Sequence, residues 1–154
     1  MDKRWVRIAA VAVGLFLINV LARLVIRIWF NGSDTAQNRV SIIMFAIIGV
    51  ALAVITFLRS QRMLPSGWLP EVAAAAVGGM LLTLLLGPLV SGAAPLGSGA
   101  GNFFSQVWLY LGFAVVGTLL GYWLATALGR DYRSRSLAAY TANRATRPRR
   151  VVRR

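Results

Sequence analysis

Cysteine and histidine are both absent from this 154-residue chain, and acids nearly so: Asp2, Asp34, Glu71 and Asp131 stand against seventeen bases. Without cysteine there is no disulfide framework, and without either residue type there is no thiolate, imidazole or conventional zinc site. The four acids fall on different loops or helix ends, so no carboxylate pair is available for acid–base work. The glycines of Gly97-Ser98-Gly99-Ala100-Gly101 lack the Lys-Ser/Thr of a phosphate-binding loop. Enzyme chemistry is therefore disfavoured, and the residues imply neither metal nor cofactor.

Charge is missing on a larger scale as well. No Asp, Glu, Lys or Arg occurs from Val72 to Gly129. A domain dissolved in water must present ionised groups to it, so that stretch excludes an ordinary globular fold. It suits two passes through hydrocarbon joined by a neutral turn.

What is present agrees. Hydrophobic residues make up 58% of the chain, and mean hydropathy is +0.68. Four apolar segments run over about 5–30, 40–58, 72–90 and 103–128. Each is long enough to span a core of ~30 Å at ~1.5 Å per helical residue. None alternates as barrel strands do. The expected fold is an all-α membrane protein: a bundle of four transmembrane helices over residues 1–129, followed by an Arg-rich, unstructured tail at 130–154. No internal repeat of fixed period is evident.

The bases orient this bundle. With the N-terminus in the cytoplasm, Lys3, Arg4, Arg7, Arg59, Arg62 and nine tail arginines lie inside, and only Arg23, Arg27 and Arg39 lie outside. That asymmetry places both termini in the cytoplasm. Trp5 and Trp68 then fall at inner boundaries, and Trp29, Phe30, Phe103, Phe104 and Trp108 near outer ones, the headgroup level that such rings prefer. A signal peptide cleaved after Ala22 is the rival for the first segment. Its apolar character continues to Phe30, which favours a retained helix. Arg outnumbers Lys sixteen to one, and Ala, Val and Gly abound, a composition that points to a bacterial plasma membrane.

Three polar or small-residue patterns are candidates for function. In the third segment Ala75, Gly79, Thr83 and Gly87 recur every four residues, and in the fourth Gly117, Gly121 and Ala125 do the same. Such stripes let helix backbones approach closely in lipid. Because the third and fourth segments are consecutive, they are expected to pack on each other as an antiparallel pair; the sharper alternative is a docking face for a membrane-protein partner or a second copy. Asn19, Arg23 and Arg27 share one face of the first segment. Their expected behaviour is for the arginines to snorkel to lipid phosphate, with an inward-facing site as the alternative. Gly87-Pro88 should kink or end the third helix, and residues 91–102 form a plain outer loop, with a re-entrant element the less favoured reading.

The tail supplies Arg130, Arg133, Arg135, Arg147, Arg149 and Arg150 as contacts for anionic lipid. Docking to nucleic acid is disfavoured, because the bases sit beside apolar segments. The function expected from these features is a non-catalytic accessory or scaffold subunit of an inner-membrane assembly. The alternative is a small oligomeric channel, holin-like pore former or lipid/solute carrier.

Overall fold

Runs dominated by Ala, Val, Leu and Ile, uninterrupted by charge, have one economical way to satisfy their backbone in an apolar medium: hydrogen bonds within the segment. The computed structural model describes residues 3–29, 34–90 and 99–146, and all of its elements there are helices. They are α1 (Lys3–Trp29), α2 (Asp34–Ser60), α3 (Pro65–Val90), α4 (Ala100–Ala127) and α5 (Tyr132–Thr146). The first four are long and apolar enough to cross a membrane. At 26 to 28 residues each, they measure roughly 40 Å, enough for the hydrocarbon and part of both headgroup layers.

The elements start earlier than the apolar runs suggest. α2 begins at Asp34 and α3 at Pro65, where proline suits the first helical position because its missing N–H has no intrahelical partner there. Pro70 and Pro88 both lie inside the helix, and α3 continues past Gly87-Pro88 to Val90, so that pair does not end it. Residues 91–98 of the expected 91–102 loop lie outside the described residues, and residues 100–102 belong instead to the first turn of α4.

The basic segment differs from expectation. Tyr132–Thr146 is helical, although its composition suggests an irregular tail. Two local devices explain the difference. Gly129, at φ 61°, ends α4 in a Schellman turn, with the Arg130 N–H donating to the Ala125 carbonyl (2.9 Å) and the Gly129 N–H to that of Thr126 (3.0 Å). Asp131 then caps α5: its side chain accepts the Ser134 N–H at 3.4 Å and its carbonyl that of Arg135 at 3.1 Å. The Ser134 hydroxyl and N–H both favour the ionised carboxylate and hold its pKa below the ordinary range.

Packing concentrates in two pairs, α1 with α3 and α2 with α4. In each pair contacting residue numbers rise together, so the paired helices run parallel. Ala12 meets Gly78 and Leu15 meets Gly79, while Gly49 meets Gly117 and Ala53 meets Gly121. This corrects the expectation that the small faces of α3 and α4 meet. A stripe shows which face of a helix can approach closely, not which helix will fill it. Gly117 and Gly121 lie so close to α2 that a Cβ at either would come within 2.8 Å of the Gly49 Cα or 2.9 Å of the Ala53 Cα. The α1–α3 seam is held through side chains instead. At the centre Leu15, Phe45, Ile48, Leu52 and Tyr110 are buried, with the Phe45 and Tyr110 rings edge to face.

Candidate functional site

Glu71 is the one acid inside a long apolar helix whose surroundings the structure describes, and its side chain is only 5% exposed. A carboxylate buried beside hydrocarbon is costly unless paired. Three helices bring it partners. Arg59, in the last turn of α2, donates to Oε2. Arg4, in the first turn of α1, places Nε 3.0 Å from Oε1, and Arg7 places a terminal nitrogen 4.0 Å from the same oxygen. Glu71 thereby ties the start of α1, the end of α2 and the start of α3 into one basic end. Arg59 is mostly buried, whereas Arg4 and Arg7 remain half exposed.

Around this cluster lie other buried groups. Ser60 bonds back to the Phe57 carbonyl at 2.9 Å. Trp68 packs on Tyr122 with ring centroids 5.8 Å apart and is 2% exposed, so it is a core residue of this end of the helices. Trp5, Trp108 and Trp123, by contrast, are exposed on the outside of the helices.

A second polar cluster occupies the other half of the α1–α3 seam. Asn19 is fully buried; its Nδ2 donates to the Thr83 carbonyl at 3.3 Å, and its Oδ1 accepts from Arg23 Nε at 3.0 Å. Gly87 makes room: a Cβ there would come 2.7 Å from Asn19 Nδ2 and 3.2 Å from the Arg23 guanidinium. Arg23 therefore turns toward α3, where the sequence suggests an outward reach to lipid phosphate. The side chain of Arg27 lies outside the described residues. Tyr110 Oη, close to Gly79, and Thr83 Oγ1 are buried polar atoms with no hydrogen-bond partner among the described residues.

The remaining candidates are dispersed. Ala75, Gly79, Thr83 and Gly87 lie on the buried face of α3, and Gly117, Gly121 and Ala125 on that of α4. Arg130, Arg133 and Arg135 are exposed at or on α5, and Arg147, Arg149 and Arg150 lie outside the described residues. The Glu71 cluster is the arrangement sequence reasoning missed. Its signal was available: a lone acid at the edge of an apolar run, with bases at the ends of two neighbouring segments. Surface depressions along α4 are apolar, lined by residues such as Trp108, Leu109 and Val116 in one and Leu119, Leu120 and Trp123 in the other.

Comparison with protein-family models, with curated proteins and with solved structures returned no match.

Proposed function

We propose that the chain is a non-catalytic scaffold or accessory subunit of a bacterial plasma-membrane assembly, a bundle crossing four times with both termini in the cytoplasm. The observation that carries this reading is the Glu71 cluster. The acid is spent on arginines from α1 and α2, so its chemistry is that of a tie between helices. The Asn19–Arg23–Thr83 cluster likewise spends its groups across one seam. Meanwhile the outward faces carry Trp, Leu and Val, which suits lipid or another membrane protein. At the basic end, half-exposed Arg4 and Arg7 and exposed α5 arginines suit anionic headgroups.

The chain lacks cysteine, so single reporters test the threading cleanly. Ser136→Cys should react with an impermeant maleimide only after the cytoplasmic face is opened, and Gly101→Cys should react in intact cells. Labelling of both from one side overturns the four-pass reading. Affinity purification from native membranes should then recover a stable membrane-protein partner. Leakage of a trapped dye from liposomes containing the purified chain alone would favour the pore former or carrier instead.

A further inference from the structure

We infer that the Glu71 cluster is a discrete binding site for one anionic phospholipid, whose phosphate group is held by Arg4 and Arg7. The inference rests on the reading that this end of the bundle meets an anionic leaflet, and it adds the residues, the ligand and the stoichiometry. Charge balance leads there. Glu71 meets three guanidiniums and can neutralise only one of them. Arg59 takes Oε2 and is mostly buried, whereas Arg4 and Arg7 share Oε1 and are each 54% exposed. Two positive charges are thus left over at the edge of an apolar bundle, where a charge without a partner is costly. Among the described residues the only other acid at this end is Asp131, and it caps α5 through Ser134.

The geometry brings those two charges together. Arg4 and Arg7 are three residues apart on α1, so their side chains leave one face of the helix. Both reach the same carboxylate oxygen, which makes their heads converge. Arg4 engages it through Nε at 3.0 Å. Arg7 stands at 4.0 Å, an ion pair without a hydrogen bond, so its N–H donors are left for another acceptor. Phosphate suits such a pair, because a guanidinium offers its N–H groups in a planar fork that matches two phosphate oxygens. Arg133 and Arg135 on α5 lack this convergence. Two residues apart on an exposed helix, they point to different sides and suit only diffuse attraction.

The surroundings favour a phosphate that carries acyl chains over a free one. Trp5 and Val6, between the two arginines in sequence, are exposed, as are Leu64 and Leu69 around the start of α3. A lipid satisfies both kinds of side chain at once: its headgroup lies against the guanidiniums and its chains against the apolar groups. Free phosphate satisfies only the first. Glu71 is then a positioning residue, which gathers Arg4 and Arg7 at one spot without touching the ligand.

The test titrates the purified full chain, in micelles of neutral detergent, with short-chain phosphatidylglycerol or phosphatidylcholine and counts bound lipid by native mass spectrometry. One phosphatidylglycerol per chain should bind, roughly ten-fold more tightly than phosphatidylcholine. Arg4→Gln/Arg7→Gln keeps the Arg59–Glu71 pair and should bind the two lipids alike, with circular dichroism confirming its helices. Arg7→Gln alone removes no hydrogen bond to Glu71 and should lower the preference roughly three-fold, a milder variant should the double one not fold. Arg133→Gln/Arg135→Gln should keep the preference within roughly two-fold. A preference that survives loss of both Arg4 and Arg7 in a folded chain, or that disappears with Arg133 and Arg135, overturns the inference. Inorganic phosphate equimolar with the lipid should not displace it; displacement overturns lipid as the source of the phosphate. A micelle has no sides and holds no partner protein, so failure here leaves the threading and the scaffold reading standing, and their failure leaves this site standing.

Discussion

The two seams solve the same problem with opposite means. Between α2 and α4, Gly49, Ala53, Gly117 and Gly121 bring backbone close to backbone, and Phe45 meets Tyr110 edge to face further along. Between α1 and α3, contact runs through an ion cluster at Glu71, an apolar middle at Leu15 and Gly79, and an amide–guanidinium cluster at Asn19 and Arg23. Lipid tails are as apolar as the helix faces, so burial of apolar surface drives neither pairing. The close seam relies on van der Waals contact over a smooth surface, and the polar seam on groups that lose more by facing lipid than by facing each other. The first should be brittle toward added volume, the second toward lost partners.

Gly117→Leu breaks the close seam most directly, because the new side chain must displace the Gly49 backbone. A loss of about 3 kcal/mol in a detergent unfolding titration is expected, and a near-native result would mean that α2 and α4 do not touch there. On the polar seam Glu71→Gln should cost about 2 kcal/mol, less than a fully buried pair because Arg4 stays half exposed. The same titration at raised salt should change little for the native protein, since Arg59 is mostly buried. Asn19→Ala should cost about 1 kcal/mol, typical of a single interhelical hydrogen bond in a membrane. Gly117→Leu exceeding Asn19→Ala by less than two-fold would erase the contrast between the seams.

The smallest effect lies beyond both seams, at the α4–α5 junction. Asp131 has a lowered pKa in the folded chain, so its capping contribution is fully present above the unfolded value of about 3.9 and is lost as pH falls through the lowered one. Circular dichroism should show α5 intact at neutral pH and its first turn fraying only below about pH 4. Asp131→Ala should fray that turn at neutral pH while leaving α1 to α4 unchanged, and should abolish the acid transition.

Much of this was legible beforehand, for physical reasons that can be named. The four long helices follow from apolar length alone, and the faces of α3 and α4 that approach a neighbour follow from the four-residue recurrence of Ala75, Gly79, Thr83 and Gly87 and of Gly117, Gly121 and Ala125. Proximity in the chain misled where it was used as a guide to partners, since α3 turned to α1 and α4 to α2. The basic tail was misjudged because capping by Asp131 and the Gly129 stop act over a few residues, too locally to show in composition.

The residues alone, then, settled the helical state of the four apolar runs, their fitness by length and composition to cross a membrane, and the clustering of bases near their ends, because hydropathy and charge act position by position. Partner choice and the capture of Glu71 by three arginines were decided only in three dimensions. Those depend on how two surfaces fit at a distance of some sixty residues along the chain, and neither surface carries that information by itself.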